Sequence, residues 1–149
     1  MRVFHAYGSK ERLFEMMGRV NNLNEQILPV EKKNEVIKEF VAFVQKKLGI
    51  SDEQIPKIVI SYDEKEAPNM KSFGKYTPET NELRVVAVNR NLADVLRTLA
   101  HEIIHHKQYK EGVLKPGSND TGSEHENEAN ALAGAFMREF GKENPIIFE

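Results

Sequence analysis

The sequence predicts an α+β domain with a small, mostly antiparallel sheet. Three observations carry that expectation. Apolar residues recur at helical spacing toward both ends of the chain, three short β-branched or aromatic runs lie between them, and two of those runs flank a turn signal. The 149 residues, 40% apolar and 30% charged, suit a single domain with one modest core.

The elements follow in order. Ser9 is placed to cap a short helix that carries Leu13, Phe14, Met17 and Val20 on one side. A second helix is expected over residues 31–48, where Ile37, Phe40, Val41, Val44 and Leu48 share a face and Gly49 is a stop signal. Residues 1–50 thus read as a helical N-terminal part. The run Lys-Ile-Val-Ile-Ser-Tyr at 57–62 reads as a strand. Runs at 72–76 and 82–88 flank Thr77-Pro78-Glu79-Thr80-Asn81 and read as a hairpin. Asn91, with Asp94 three residues later, predicts the start of a helix over 92–110. The Gly-rich stretch 112–122 predicts a loop. A last helix is expected over 124–140, ended by Gly141, with Ile146-Ile147-Phe148 packing on the core as a short tail.

Composition narrows the function. Lys plus Arg number 21 and Asp plus Glu 23, a formal net charge of -2; bulk positive charge therefore drives no nucleic-acid binding. The absence of cysteine excludes disulfides, thiolate metal sites and a cysteine nucleophile. Any metal must be held by His, Asp or Glu. No apolar run approaches the roughly 18 residues of a membrane span, and the first residues lack the apolar core of a secretory signal. A soluble, cytoplasmic protein with no membrane partner is the expectation.

His101-Glu102-Ile103-Ile104-His105 fits the H-E-x-x-H pattern and falls within the expected helix. At about 100° per residue, two residues four apart sit about 40° from each other and one turn up, so both imidazoles can reach one ion. Leu92, Val95, Leu96, Leu99 and Ile103 form the apolar stripe of the same helix, and His101 and His105 point away from its centre. Glu102 leans over the side of the two imidazoles, where it can take a proton from a metal-activated water. His106 projects near the apolar stripe, as a structural histidine would.

A catalytic zinc site takes three protein ligands and leaves one position open. The extended pattern with a third histidine is absent, because residue 108 is Gln and residue 111 is Glu. The third ligand must come from elsewhere, and the last helix begins Glu124-His125-Glu126-Asn127-Glu128. Its apolar stripe is Ala129, Leu132, Ala133, Phe136, Met137 and Phe140. His125 and Glu126 both fall within about 50° of that stripe's centre, whereas Glu128 lies about 110° away. Periodicity leaves Glu126 and His125 as alternatives.

The set His101-Glu102-x-x-His105, a loop, then Glu126-x-x-Ala129-Asn130 resembles the gluzincin clan of zinc metallopeptidases. Small prokaryotic and phage members, the minigluzincins and the ImmA/IrrE-like peptidases, are nearest in pattern. The resemblance spans residues 57–140. It implies a zincin-like fold, with the sheet packed against an active-site helix and a third-ligand helix. It also implies Glu126 as the third ligand, Asn130 as the residue supporting a metal-binding histidine, and a hairpin whose edge strand holds peptide substrate. In that clan a Tyr or His beyond the third ligand often steadies the oxyanion. Neither residue type follows His125 here, so only Tyr76 or Tyr109, if the fold brings one near, could serve.

The expected function is a zinc-dependent endopeptidase acting on peptide or protein substrates. Zn2+ would sit on His101, His105 and Glu126, Glu102 would act as general base, and strand 82–88, if it is a sheet edge, would align substrate. The alternative is a zinc-stabilised binding or regulatory module with weak or no catalysis.

Overall fold

The computed structural model describes residues 3–6, 28–65, 73–113 and 124–148. The expected helix after Ser9 and most of the loop 112–122 lie outside these residues. The described elements are β1 (Val3–Ala6), α1 (Val30–Leu48), β2 (Lys57–Ser61), β3 (Gly74–Thr77), β4 (Glu82–Val86), α2 (Leu92–Lys110) and α3 (Glu124–Glu143), closed by a 3₁₀ turn at Pro145–Phe148.

The class is α+β, but the sheet is mixed rather than mostly antiparallel. Its strand order is β1-β2-β4-β3. β1 pairs parallel with β2, β2 pairs parallel with β4, and only β3 and β4 are antiparallel. Two features of the chain path account for the difference. Residues 3–6, within the part read as helical, form a strand, and α1 between β1 and β2 makes a crossover that joins parallel neighbours. The hairpin then folds with β4 inward, between β2 and β3. β4 is therefore a central strand, and β3 is the edge; the substrate-aligning role expected of strand 82–88 cannot rest on β4.

The helices form where local signals place them. Gly49 takes a left-handed conformation (φ 70°) at the C-terminus of α1, and its N–H bonds the Gln45 carbonyl. At the start of α2 the Asn91 side chain accepts from the Asp94 N–H at 2.8 Å. α3 runs past Gly141 to Glu143 instead of stopping there. A Cβ at Gly141 would lie 2.3 Å from the Phe148 ring, so this glycine seats the returning tail.

α2 packs across β3 and β4 and against α3. Ile58, Ile60, Leu83 and Val85 of the sheet join Leu96, Leu99 and Ile103 of α2 in one core. Phe40 and Phe43 of α1 meet Phe136 and Phe140 of α3 in a cluster of stacked and edge-on rings. Ile147 is buried in the same core, as expected of the tail. Among the described residues no helix is long and apolar enough to cross a membrane.

Candidate metal centre

α2 carries His101 and His105 one turn apart, and α3 crosses it so that Glu126 faces both. The two imidazole Nε2 atoms are 3.0 Å apart. Glu126 reaches His105 Nε2 with Oε2 at 2.9 Å and His101 Nε2 with Oε1 at 3.1 Å. Among the described residues these three form the one group of His, Asp and Glu gathered closely enough to hold a metal ion. A tetrahedral ion with bonds of about 2.0–2.1 Å spaces its ligand atoms about 3.3 Å apart. The two imidazole nitrogens and the two carboxylate oxygens, each 2.9–3.1 Å from its nearest neighbour on another side chain, come within about 0.4 Å of that spacing, so the donor set fits such an ion.

This arrangement separates the two alternatives for the third position. Glu126 turns its carboxylate to the histidines, whereas His125 contributes its main-chain carbonyl, which accepts from Gln108 Nε2 at 3.1 Å. The same Gln108 amide donates to Glu128 Oε1 at 3.2 Å, and its oxygen lies 2.8 Å from His105 Nδ1. The Asn130 side chain hydrogen-bonds His101. Each imidazole thus has an amide partner beside it.

Glu102 occupies the side of α2 that faces β3. The edge strand comes very close here: a Cβ on Gly74 would lie 2.6 Å from Thr98 Cγ2 and 3.0 Å from Glu102 Cγ. Phe73 pairs with Val86 through the Val86 N–H, so in the alternating antiparallel pattern the main-chain groups of Gly74 and Tyr76 point away from β4. The Tyr76 main chain hydrogen-bonds the Glu102 carboxylate. Burial pushes the Glu102 carboxyl up to about 7; the nearby Glu126 carboxylate adds to the rise, while His105 and the Tyr76 main chain oppose it. Burial also holds His101 below the ordinary imidazole value, against the pull of Glu126.

Other residues singled out by the sequence lie elsewhere. His106 is 1% exposed, its Nε2 donates to the Gln54 carbonyl at 2.9 Å, and its ring meets Tyr76 edge-on. It is a core histidine. The Tyr76 hydroxyl bonds Asn81 at the β3–β4 turn, and Tyr109 packs against the Tyr76 ring. Neither phenol is directed to the His–His–Glu group.

Sequence reasoning missed Gln108 and Gly74. Gln108 stands three residues after His105, a helical-neighbour spacing that was available as a signal. Gly74 carried no local signal beyond being a glycine in a strand. Compared with protein-family models, curated proteins and solved structures, the chain finds no match.

Proposed function

We propose that the chain is a zinc-dependent metallopeptidase of the gluzincin type, with a zincin-like fold. His101, His105 and Glu126 hold the ion, Asn130 steadies His101, and Glu102 is the general base. The observation that carries this reading is the convergence of two imidazoles and one carboxylate, from two helices, within 3.1 Å of one another. Two nitrogen donors and one oxygen donor suit zinc and leave a coordination position open. When bound, such an ion supplies Lewis acidity that activates water and polarises a carbonyl.

The chain's own groups supply the rest. Glu102 sits in a water-poor seam between α2 and β3, where its raised affinity for protons suits it to take one from water and pass it to the leaving amine. β3 ends the sheet on this side, and the outward main-chain groups of Gly74 and Tyr76 are where an extended peptide would add to it. To do so it would compete with Glu102 for the main chain of Tyr76.

The test combines metal analysis with hydrolysis of unfolded casein. The wild-type chain should bind one zinc per molecule and cleave casein, and a chelator should stop cleavage. Glu102→Gln should keep the metal and lose at least about 100-fold in rate. Full activity in that variant refutes the mechanism.

One observation favours a second reading, a metal-stabilised binding module. The phenol of Tyr76 is committed to Asn81 and Tyr109 packs on the Tyr76 ring, so neither of the two tyrosines the sequence offered for the oxyanion is directed to the site. A metal-loaded chain that leaves casein and short unfolded peptides intact selects this reading.

A further inference from the structure

We propose that Gln108 is a positioning residue, one that fixes the proton of His105 and clamps the helix turn carrying Glu126; the inference rests on the metal site proposed above. Gln108 is 2% exposed, so its amide must find partners inside the protein. Its nitrogen faces two groups that can only accept, the His125 carbonyl at 3.1 Å and the Glu128 carboxylate at 3.2 Å. That fixes the amide's orientation, because the reverse would set oxygen against oxygen twice.

The amide oxygen then faces His105 Nδ1 at 2.8 Å and can only accept. Nδ1 must therefore carry a proton, so Nε2, which faces the Glu126 carboxylate, is the nitrogen that a metal takes over when it displaces any proton held there. Nε2 is the atom that lies 3.0 Å from His101 Nε2 and 2.9 Å from Glu126. Neutral histidine left to itself favours the opposite tautomer, with the proton on Nε2, where it would block a metal.

The other end of the amide acts on α3. His125 and Glu128 bracket Glu126 in sequence, so the two bonds from Gln108 Nε2 hold the turn from which that carboxylate projects. One side chain thereby links two ligands on different helices. Partners of this kind commonly change metal affinity by about 10- to 100-fold when removed.

The experiment uses the full chain and two readouts, zinc affinity by chelator competition and the side-chain 15N shifts of His105 in metal-free protein. Wild type should show His105 protonated on Nδ1. Gln108→Leu should bind zinc about 10- to 100-fold more weakly and shift His105 toward the Nε2-protonated form. Gln108→Glu keeps the acceptor for His105 and loses the donor to α3, so it should restore the wild-type tautomer but not the full affinity. A merely space-filling Gln108 would leave the tautomer unmoved in Gln108→Leu, and that result overturns the proposal. If Gln108→Leu does not fold, Gln108→Asn reads the same quantities, since its shorter amide cannot span from His105 to His125; wild-type affinity and tautomer there overturn it equally. A wild-type chain that takes up no zinc refutes the function above, and this inference falls with it. Wild-type binding that Gln108→Leu leaves unchanged refutes this inference alone.

Discussion

Replacing Gly74 by alanine tests how tightly the edge strand is seated on the helix that carries the site. The Gly74 backbone does not lie in the left-handed region, so the substitution is purely steric. The new methyl would lie 2.6 Å from Thr98 Cγ2. Thr98 cannot turn that methyl aside easily, because its hydroxyl is held by the Arg90 guanidinium at 2.7 Å and bonds the Asp94 carbonyl at 3.1 Å. Arg90 is itself fixed by the Val86 carbonyl at 2.7 Å and lies over the Phe73 ring. Strand and helix must therefore separate. Overpacking of this kind costs about 1–3 kcal/mol, offset by about 0.4–1 kcal/mol from a stiffer unfolded chain. The net loss should be about 1–2 kcal/mol, or a fall in Tm of about 2–8 °C for a chain of this size. Thermal unfolding monitored by circular dichroism measures it. Thr98→Ser removes the obstructing methyl and keeps the hydroxyl, so the double variant Gly74→Ala/Thr98→Ser should recover much of the loss. Strictly additive effects of the two changes, or an alanine variant as stable as wild type, would refute the close approach.

The remaining predictions concern protons and the other tight glycine. In chelator-treated protein, the raised Glu102 pKa means that the folded state holds a proton which the unfolded chain releases. This group's contribution to stability is fully present below about 4.5 and lost as pH rises through about 7. Urea titrations of wild type and Glu102→Gln should therefore converge or cross in that window, with wild type gaining as pH falls. His106 acts with the opposite sign, since burial depresses its pKa. Its contribution is present above the ordinary value of 6.5 and lost on acidification, so His106→Leu should flatten the acid side of the same titration. The nearest atoms to a Cβ in Gly141→Ala all belong to the Phe148 ring, which is 60% exposed and can swing outward. The substitution should be near neutral or stabilising by up to about 1 kcal/mol, and a destabilisation as large as that of Gly74→Ala would show the tail to be rigidly held.

Elements with local signals were legible in the sequence. α2 begins at Leu92 behind an Asn91 cap and ends at Lys110, as its periodicity and cap chemistry predict. α1 stops at Gly49 for the conformational reason that makes glycine a stop signal. What was not legible depends on pairing between distant segments. Four residues of β1 carry too little pattern to stand out, and nothing in the hairpin says which of its strands turns inward. For the site, one helix sufficed to bring His101 and His105 together. The choice between His125 and Glu126 was a near tie on the helical wheel. The way α3 is set against α2, with Gln108 holding the His125 carbonyl, turns the neighbouring carboxylate to the imidazoles.

The spacing of the site's donors also bears on how the last helix is retained. His105 and Glu126 are 21 residues apart in the chain, so an ion shared by them would tie α2 to α3 in the folded state. An ion that binds the folded chain and not the unfolded one stabilises the fold by mass action, about 4 kcal/mol at a thousandfold excess over its Kd. Zinc would thus act as a removable staple as well as a reagent. Stripping it should let α3 exchange its amide hydrogens sooner than α2, which the sheet holds from its other side.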